Sequence, residues 1–147
     1  VKPADDPTFL KLRIDSDPAK VAEVRRAVEE YCRQIGMEDK VCCNMGLCVN
    51  EALANVICHA YHGQTGRPIE VMVQVRDDRL EMAIRDWGSG ENPASQLRHE
   101  HDPLVPGGLG MVCLRQLMDD VVFTPQPDGM LLTMTCRCQH NKPFRKP

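Results

Sequence analysis

The stretch Glu51-Ala52-Leu53-Ala54-Asn55-Val56-Ile57-Cys58-His59 decides how this chain is read. It lies late in a segment, about Glu38–Ala60, whose apolar residues Val41, Met45, Leu47, Val49, Leu53, Val56 and Ile57 cover almost a whole circumference. A helix apolar all round belongs in a protein interior. Yet at 100° per residue Asn44, Glu51, Asn55 and His59 fall within a wedge of roughly 80°. A carboxylate is rarely buried without a partner, because desolvating it is costly. The wedge is therefore expected to face a polar pocket rather than the core.

Two glycine clusters follow, Asp86-Trp87-Gly88-Ser89-Gly90 and Gly107-Gly108-Leu109-Gly110. The second runs straight into a helix expected to begin near Met111. That arrangement aims free backbone N–H groups, and the positive end of the helix dipole, at an anion. It is not a dinucleotide fingerprint, since Cys113 stands where the third glycine would fall and a proline-broken loop precedes it. Nor is it a P-loop, because no glycine is followed by Lys and then Ser or Thr. Asn55 offers an amide oxygen of the kind that Mg²⁺ accepts beside waters and phosphates. Alone, Asn55 could simply bond a neighbouring backbone group, and Asp86-x-Gly88-x-Gly90 could be a mere turn. Together they make the constellation that a Mg-nucleotide site requires.

Outward from these motifs the chain reads as one domain. Thr8–Ile14 alternates like a strand, Asp17 and Pro18 supply a helix start, and Val21, Val24, Val28, Cys32 and Ile35 recur at helical steps up to Gly36. Ile69, Val71, Val73 and Val75 form a half-buried strand, and Asp77-Asp78 turns into Leu80–Ile84, a hairpin that delivers Asp86 at its end. From Gly88 to Gly107 no period appears, and Pro93, Pro103 and Pro106 break any long element. A loop of that kind, Glu91–Gly107, is expected to act as a lid. A helix Met111–Asp119, a strand Asp120–Phe123, a turn at Asp128-Gly129 and a strand Met130–Cys138 complete the order. The fold class expected is α+β, a two-layer sandwich of a mixed sheet with helices on one face, spanning 8–138 with tails 1–7 and 139–147.

Composition narrows the function classes. Among 147 residues, 42% are hydrophobic and 27% charged, which suits a globular chain with a sizeable core. A net charge of −3 gives no electrostatic reason to bind nucleic acid. No apolar run approaches the length of a bilayer span and no signal-peptide pattern opens the sequence, so no membrane and a cytoplasmic location are expected. The eight cysteines include no C-x-x-C pair. Cys136-x-Cys138-x-His140 would place three ligands on one strand face, but small buried hydrophobes are the better reading of these thiols.

The N-box helix Glu51…Asn55…His59-Ala60-Tyr61 and the two glycine motifs in register resemble the GHKL, or Bergerat-fold, ATPase superfamily. With Leu114-Arg115-Gln116-Leu117-Met118-Asp119 after Gly110, the pattern looks most like its small branch of anti-sigma-factor serine/threonine kinases, the RsbW/SpoIIAB type. The resemblance covers nearly the whole chain and implies a histidine-kinase-like ATPase fold using ATP and Mg²⁺. It implies that Asn55 is the direct protein ligand of the metal and that Glu51 is the general base toward the attacking hydroxyl. By the same resemblance Asp86 accepts the adenine amine, with Gly88 and Gly90 letting the backbone approach the base. Gly107, Gly108, Leu109 and Gly110 would cradle phosphate, and His59 would either donate to phosphate or sit as a satisfied, partly buried histidine. The implied partners are a STAS-type anti-sigma-factor antagonist as phosphoacceptor, a sigma factor held in sequestration, and a second copy of the chain in a homodimer. Two departures bear on turnover. Pro106 stands where some members carry an arginine reaching the γ-phosphate, and Met130 stands where some relatives have threonine. A nucleotide-gated binding module with little turnover is the alternative from another class, and a cysteine-based metal or redox protein is a third.

Overall fold

A computed structural model describes residues 9–89 and 108–137, with backbone alone for 108–111. Strand β1 (Phe9–Asp15) leads into α1 (Pro18–Gln34), where the Asp17 carboxylate accepts the Ala19 N–H at 2.9 Å and Pro18 occupies the first turn. This is the start its residues predict. The helix stops at Gly36, whose φ of +86° permits Met37 N–H to reach back to the Cys32 carbonyl at 3.0 Å. Ser16 is fully buried, donating to the Gln64 carbonyl at 2.6 Å and accepting from Arg67 N–H at 3.0 Å.

Helix α2 (Asp39–Asn55) is the interior element expected, with Cys42, Met45, Cys48, Val49, Ala52 and Leu53 buried. Together with the turn that follows it, the segment Asp39–Ala60 is in fact long and apolar enough, by length and composition alone, to cross a membrane. Its apolarity has another use here. It packs against α1 on one side and α3 (Gly108–Leu117) on the other, and its side chains join those of the sheet in one continuous core.

The sheet has the order β1-β2-β3-β5-β4, with β2 (Pro68–Arg76), β3 (Arg79–Asp86), β4 (Asp120–Gln126) and β5 (Gly129–Arg137). Every neighbouring pair runs antiparallel, which corrects the expectation of a mixed sheet. The crossover through α3 lands β4 one strand away from β3, and β5 then returns between them, antiparallel to both. Leu10, Leu12, Ile14, Ile69, Val71, Val73, Leu80, Met82, Ile84, Leu132 and Met134 point to the helix layer, while Lys11, Arg13, Glu70 and Gln74 alternate onto the other face. Two layers with one core between them are what the period of each segment requires.

Seven of the eight cysteines fall in the described region, none of them in a disulfide. Burial pushes the Cys32 and Cys48 thiols up to about 12, so they act as small hydrophobes. Among the described residues no group of His, Cys, Asp and Glu could hold a metal ion. Cys138 and His140 lie outside those residues.

Candidate nucleotide site

The site forms where α2 ends against the ends of β3 and β5. After Asn55 the helix widens into a looser turn, Val56–Ala60, closed by a bond from Tyr61 N–H to the Val56 carbonyl at 3.0 Å, five residues back. Such widened turns gather at functional sites. This one keeps Asn55 and His59 on a single cavity wall. Across the cavity lie Asp86 and Gly88, while Ile84, Phe123, Met130 and Leu132 make an apolar floor. Polar groups converging on an apolar cleft are the usual design of a small-molecule site.

Asp86 is only 5% exposed, and it is the last residue of β3, opposite Ile69 on β2 and Met130 on β5. Its inward direction follows from the strand period, two residues beyond Ile84. The Oδ1 atom accepts the Gly88 N–H at 2.9 Å. Burial raises the carboxyl above its ordinary range, against the lowering influence of the Gly88 N–H and the Arg85 guanidinium. A buried acid of this kind calls for a donor in the cavity, and an exocyclic amine supplies one.

Close approaches fix the surroundings of Asp86. A side chain on Gly88 would overlap the carbonyl and Cβ of Ala60, and the next N–H, that of Ser89, donates to that carbonyl at 3.2 Å. Gly129 sits at φ +116° directly against the Asp86 carbonyl, leaving no room for a Cβ. Arg85 contacts the same carbonyl and donates to Asp128, to its carbonyl at 3.0 Å and to Oδ1 at 3.1 Å, clipping the end of β3 to the β4–β5 turn. The half-buried Trp87 ring lies beneath two guanidinium groups, Arg85 at 4.5 Å and Arg13 at 5.8 Å from its centroid.

Glu51 stands one turn before Asn55 on α2, half-buried, and it does not line this cavity. Its charge adds to burial in raising the Cys113 thiol on α3. Among the described residues no arginine pairs with it. The α3 helix begins at Gly108, three residues earlier than the glycine pattern suggested. Gly108, Leu109 and Gly110 thereby fall inside its first turn, where N–H groups have no partner within the helix. Gly90, Gly107 and the expected lid 91–107 lie outside the described residues.

Thus Asn55, His59, Asp86 and Gly88 are brought together, while Glu51 stands outside this cavity, within electrostatic reach of α3. Sequence reasoning missed Ala60, Arg85 and Gly129 as the supports of Asp86. Of these only Gly129, just after the Asp128 turn, carried a signal that could have found it.

Residues 14–136 match the histidine kinase-like ATPase domain family. The serine-protein kinase RsbW of Bacillus pumilus (strain SAFR-032) is 29% identical over 137 residues, covering 86% of this chain and 84% of its own length. The anti-sigma F factor of Oceanobacillus iheyensis (strain DSM 14371 / CIP 107618 / JCM 11309 / KCTC 3954 / HTE831) is 26% identical over 138 residues, covering 90% and 94%. Among solved structures, that of the RsbU and RsbW domains of Rv1364c from Mycobacterium tuberculosis superposes with a TM-score of 0.66 at 17% identity, a likeness of fold alone. It covers 88% of this chain, which spans only 31% of that longer protein.

Proposed function

The chain belongs to the histidine kinase-like ATPase domain family, and from that premise we propose that it is a Mg-ATP-dependent serine/threonine kinase of the anti-sigma-factor type. The observation that carries the reading is the pairing, across one cavity, of a metal-grade amide at Asn55 with the buried acid Asp86. The donor set fits Mg-ATP. Asn55 contributes a hard oxygen, Asp86 can take the adenine amine, and the amides at the start of α3 suit phosphate. Bound Mg-ATP supplies the transferable phosphoryl group.

The residues of the chain then divide the work. Asn55 would hold the metal, which would supply charge to neutralise the phosphates. Asp86 and the apolar floor set the base. Glu51, within electrostatic reach of α3, would accept the proton of the serine or threonine hydroxyl as its oxygen bonds the γ-phosphorus and ADP leaves. The acceptor in this reading is a STAS-type anti-sigma-factor antagonist, a sigma factor is the partner sequestered, and the working form is a cytoplasmic homodimer. The relatives named serine-protein kinase RsbW and anti-sigma F factor support the kinase and anti-sigma parts of this reading.

A second reading, a nucleotide-gated binding module, is favoured by Pro106 and Met130. Proline at 106 provides no charge toward a transferring phosphoryl group. Met130 lines the cavity with a thioether where a hydroxyl would bond. Incubation with labelled ATP and a cognate STAS domain separates the two. Label on the partner's serine or threonine is expected. Nucleotide binding without label would replace the kinase by the gated module, and failure to bind ATP would overturn both.

A further inference from the structure

Beyond Asp86 the β3 ladder is finished, and the residues that follow are held by the end of α2 rather than by another strand. Trp87 N–H donates to the Tyr61 hydroxyl at 2.9 Å, Gly88 rests on Ala60, and Ser89 N–H donates to the Ala60 carbonyl. The same Tyr61 hydroxyl donates to the carbonyl of Pro68 at 2.5 Å. Pro68 opens β2, and its neighbour Ile69 is the register partner of Asp86. One phenolic oxygen therefore acts as donor and acceptor at once, tying together the end of α2, the start of β2 and the end of β3. The side chain is 2% exposed, and the Arg67 guanidinium lies 5.2 Å over its ring.

Resting on the nucleotide reading above, we propose that Tyr61 is a positioning residue for base recognition. Its hydroxyl fixes the backbone just after Asp86, so that the carboxylate meets the base at a set distance from Asn55. Tyr61 follows directly on the widened turn that carries His59 and Ala60, so a single anchor sets both walls of the cavity. Without the hydroxyl, the Trp87 N–H and the Pro68 carbonyl lose their partner in a buried setting and the Trp87–Ser89 segment drifts. Supporting groups of this kind hold binding atoms to within a fraction of an ångström.

The test compares Mg-ATP with the Mg complex of purine riboside triphosphate, which lacks the 6-amino group, by calorimetry on the parent and on Tyr61→Phe. The parent is expected to prefer ATP by about 10- to 100-fold, the worth of a hydrogen bond to a charged acceptor. Tyr61→Phe is expected to lose most of that preference while binding the analogue within about twofold of the parent, because only the Asp86 contact is displaced. A general structural role would weaken both ligands alike, and that result overturns the proposal. So does a folded Tyr61→Phe that keeps the full preference. A parent that binds neither nucleotide overturns the nucleotide reading and this inference with it. Should the variant fail to fold, amide hydrogen exchange at Trp87 in the unaltered protein decides. A protected amide that ATP slows further, and the analogue does not, upholds the anchor; exchange at the rate of an open loop overturns it.

Discussion

Asp86 shows how a single side chain can work against the fold that houses it. Its carboxyl is raised by burial, so the folded state prefers the protonated form. A raised acid contributes stability that is present below its unfolded value, near 3.8, and is lost as pH rises through the folded value. At neutral pH the ionised group is a cost retained for binding. Asp86→Asn is accordingly expected to melt no lower than the parent at pH 7.5, with the difference closing as pH falls toward 3.8, while ATP affinity drops by about 10-fold or more. Paired thermal melts and calorimetry check this; a variant that loses stability at pH 7.5 contradicts it. Asp86 and Asn55 were legible in the sequence because each places a polar group where an apolar period predicts burial. Tyr61 was not, since an aromatic ring closing an apolar helix looks like core, and only the observed partners of its hydroxyl reveal a task.

At the scale of elements, the strand end docks on the widened turn through a contact that tolerates no side chain. Gly88→Ala would push its new methyl into Ala60, and both are backbone-held. The expected cost is about 1–3 kcal/mol of stability, as for other overpacked contacts, together with weakened nucleotide binding as Asp86 and Asn55 move apart. Denaturant unfolding and calorimetry read the two effects, and an unchanged midpoint would show that the contact is looser than it looks. The helices and most strands were readable from period and caps, because those signals are local. The widening at Val56–Ala60 was not, since the same residues could equally continue an α-helix, and docking of Ala60 and Tyr61 on the residues just after β3 accompanies the wider path. The antiparallel order was hidden for a related reason: which strand fills the gap between β3 and β4 depends on pairings between residues far apart in the chain.

For the whole molecule, the cavity lies between the helix layer and the sheet, so a ligand there adds a bridge between layers that the core already joins. Any ligand that binds the folded state alone stabilises it by mass action, about 2.7 kcal/mol at a hundred times its dissociation constant. The two polar residues of the α2 stripe should part company in that measurement. Glu51 does not line the cavity and is assigned to proton transfer, so Glu51→Gln should keep the full upward shift of Tm with Mg-ATP while phosphorylation of a STAS partner falls by about 10²–10⁴-fold. Asn55 lines the cavity and is assigned to the metal, so Asn55→Ala should lose most of the shift that depends on Mg²⁺. Melts with ATP, with and without Mg²⁺, on parent and both variants give the comparison. An Asn55→Ala protein that Mg-ATP stabilises as well as the parent would remove the metal from Asn55. Intact transfer in Glu51→Gln would remove the base from Glu51 and place proton acceptance on another group. Because one residue is read by stability and the other by turnover, the two assignments stand or fall independently, although they occupy successive turns of one helix.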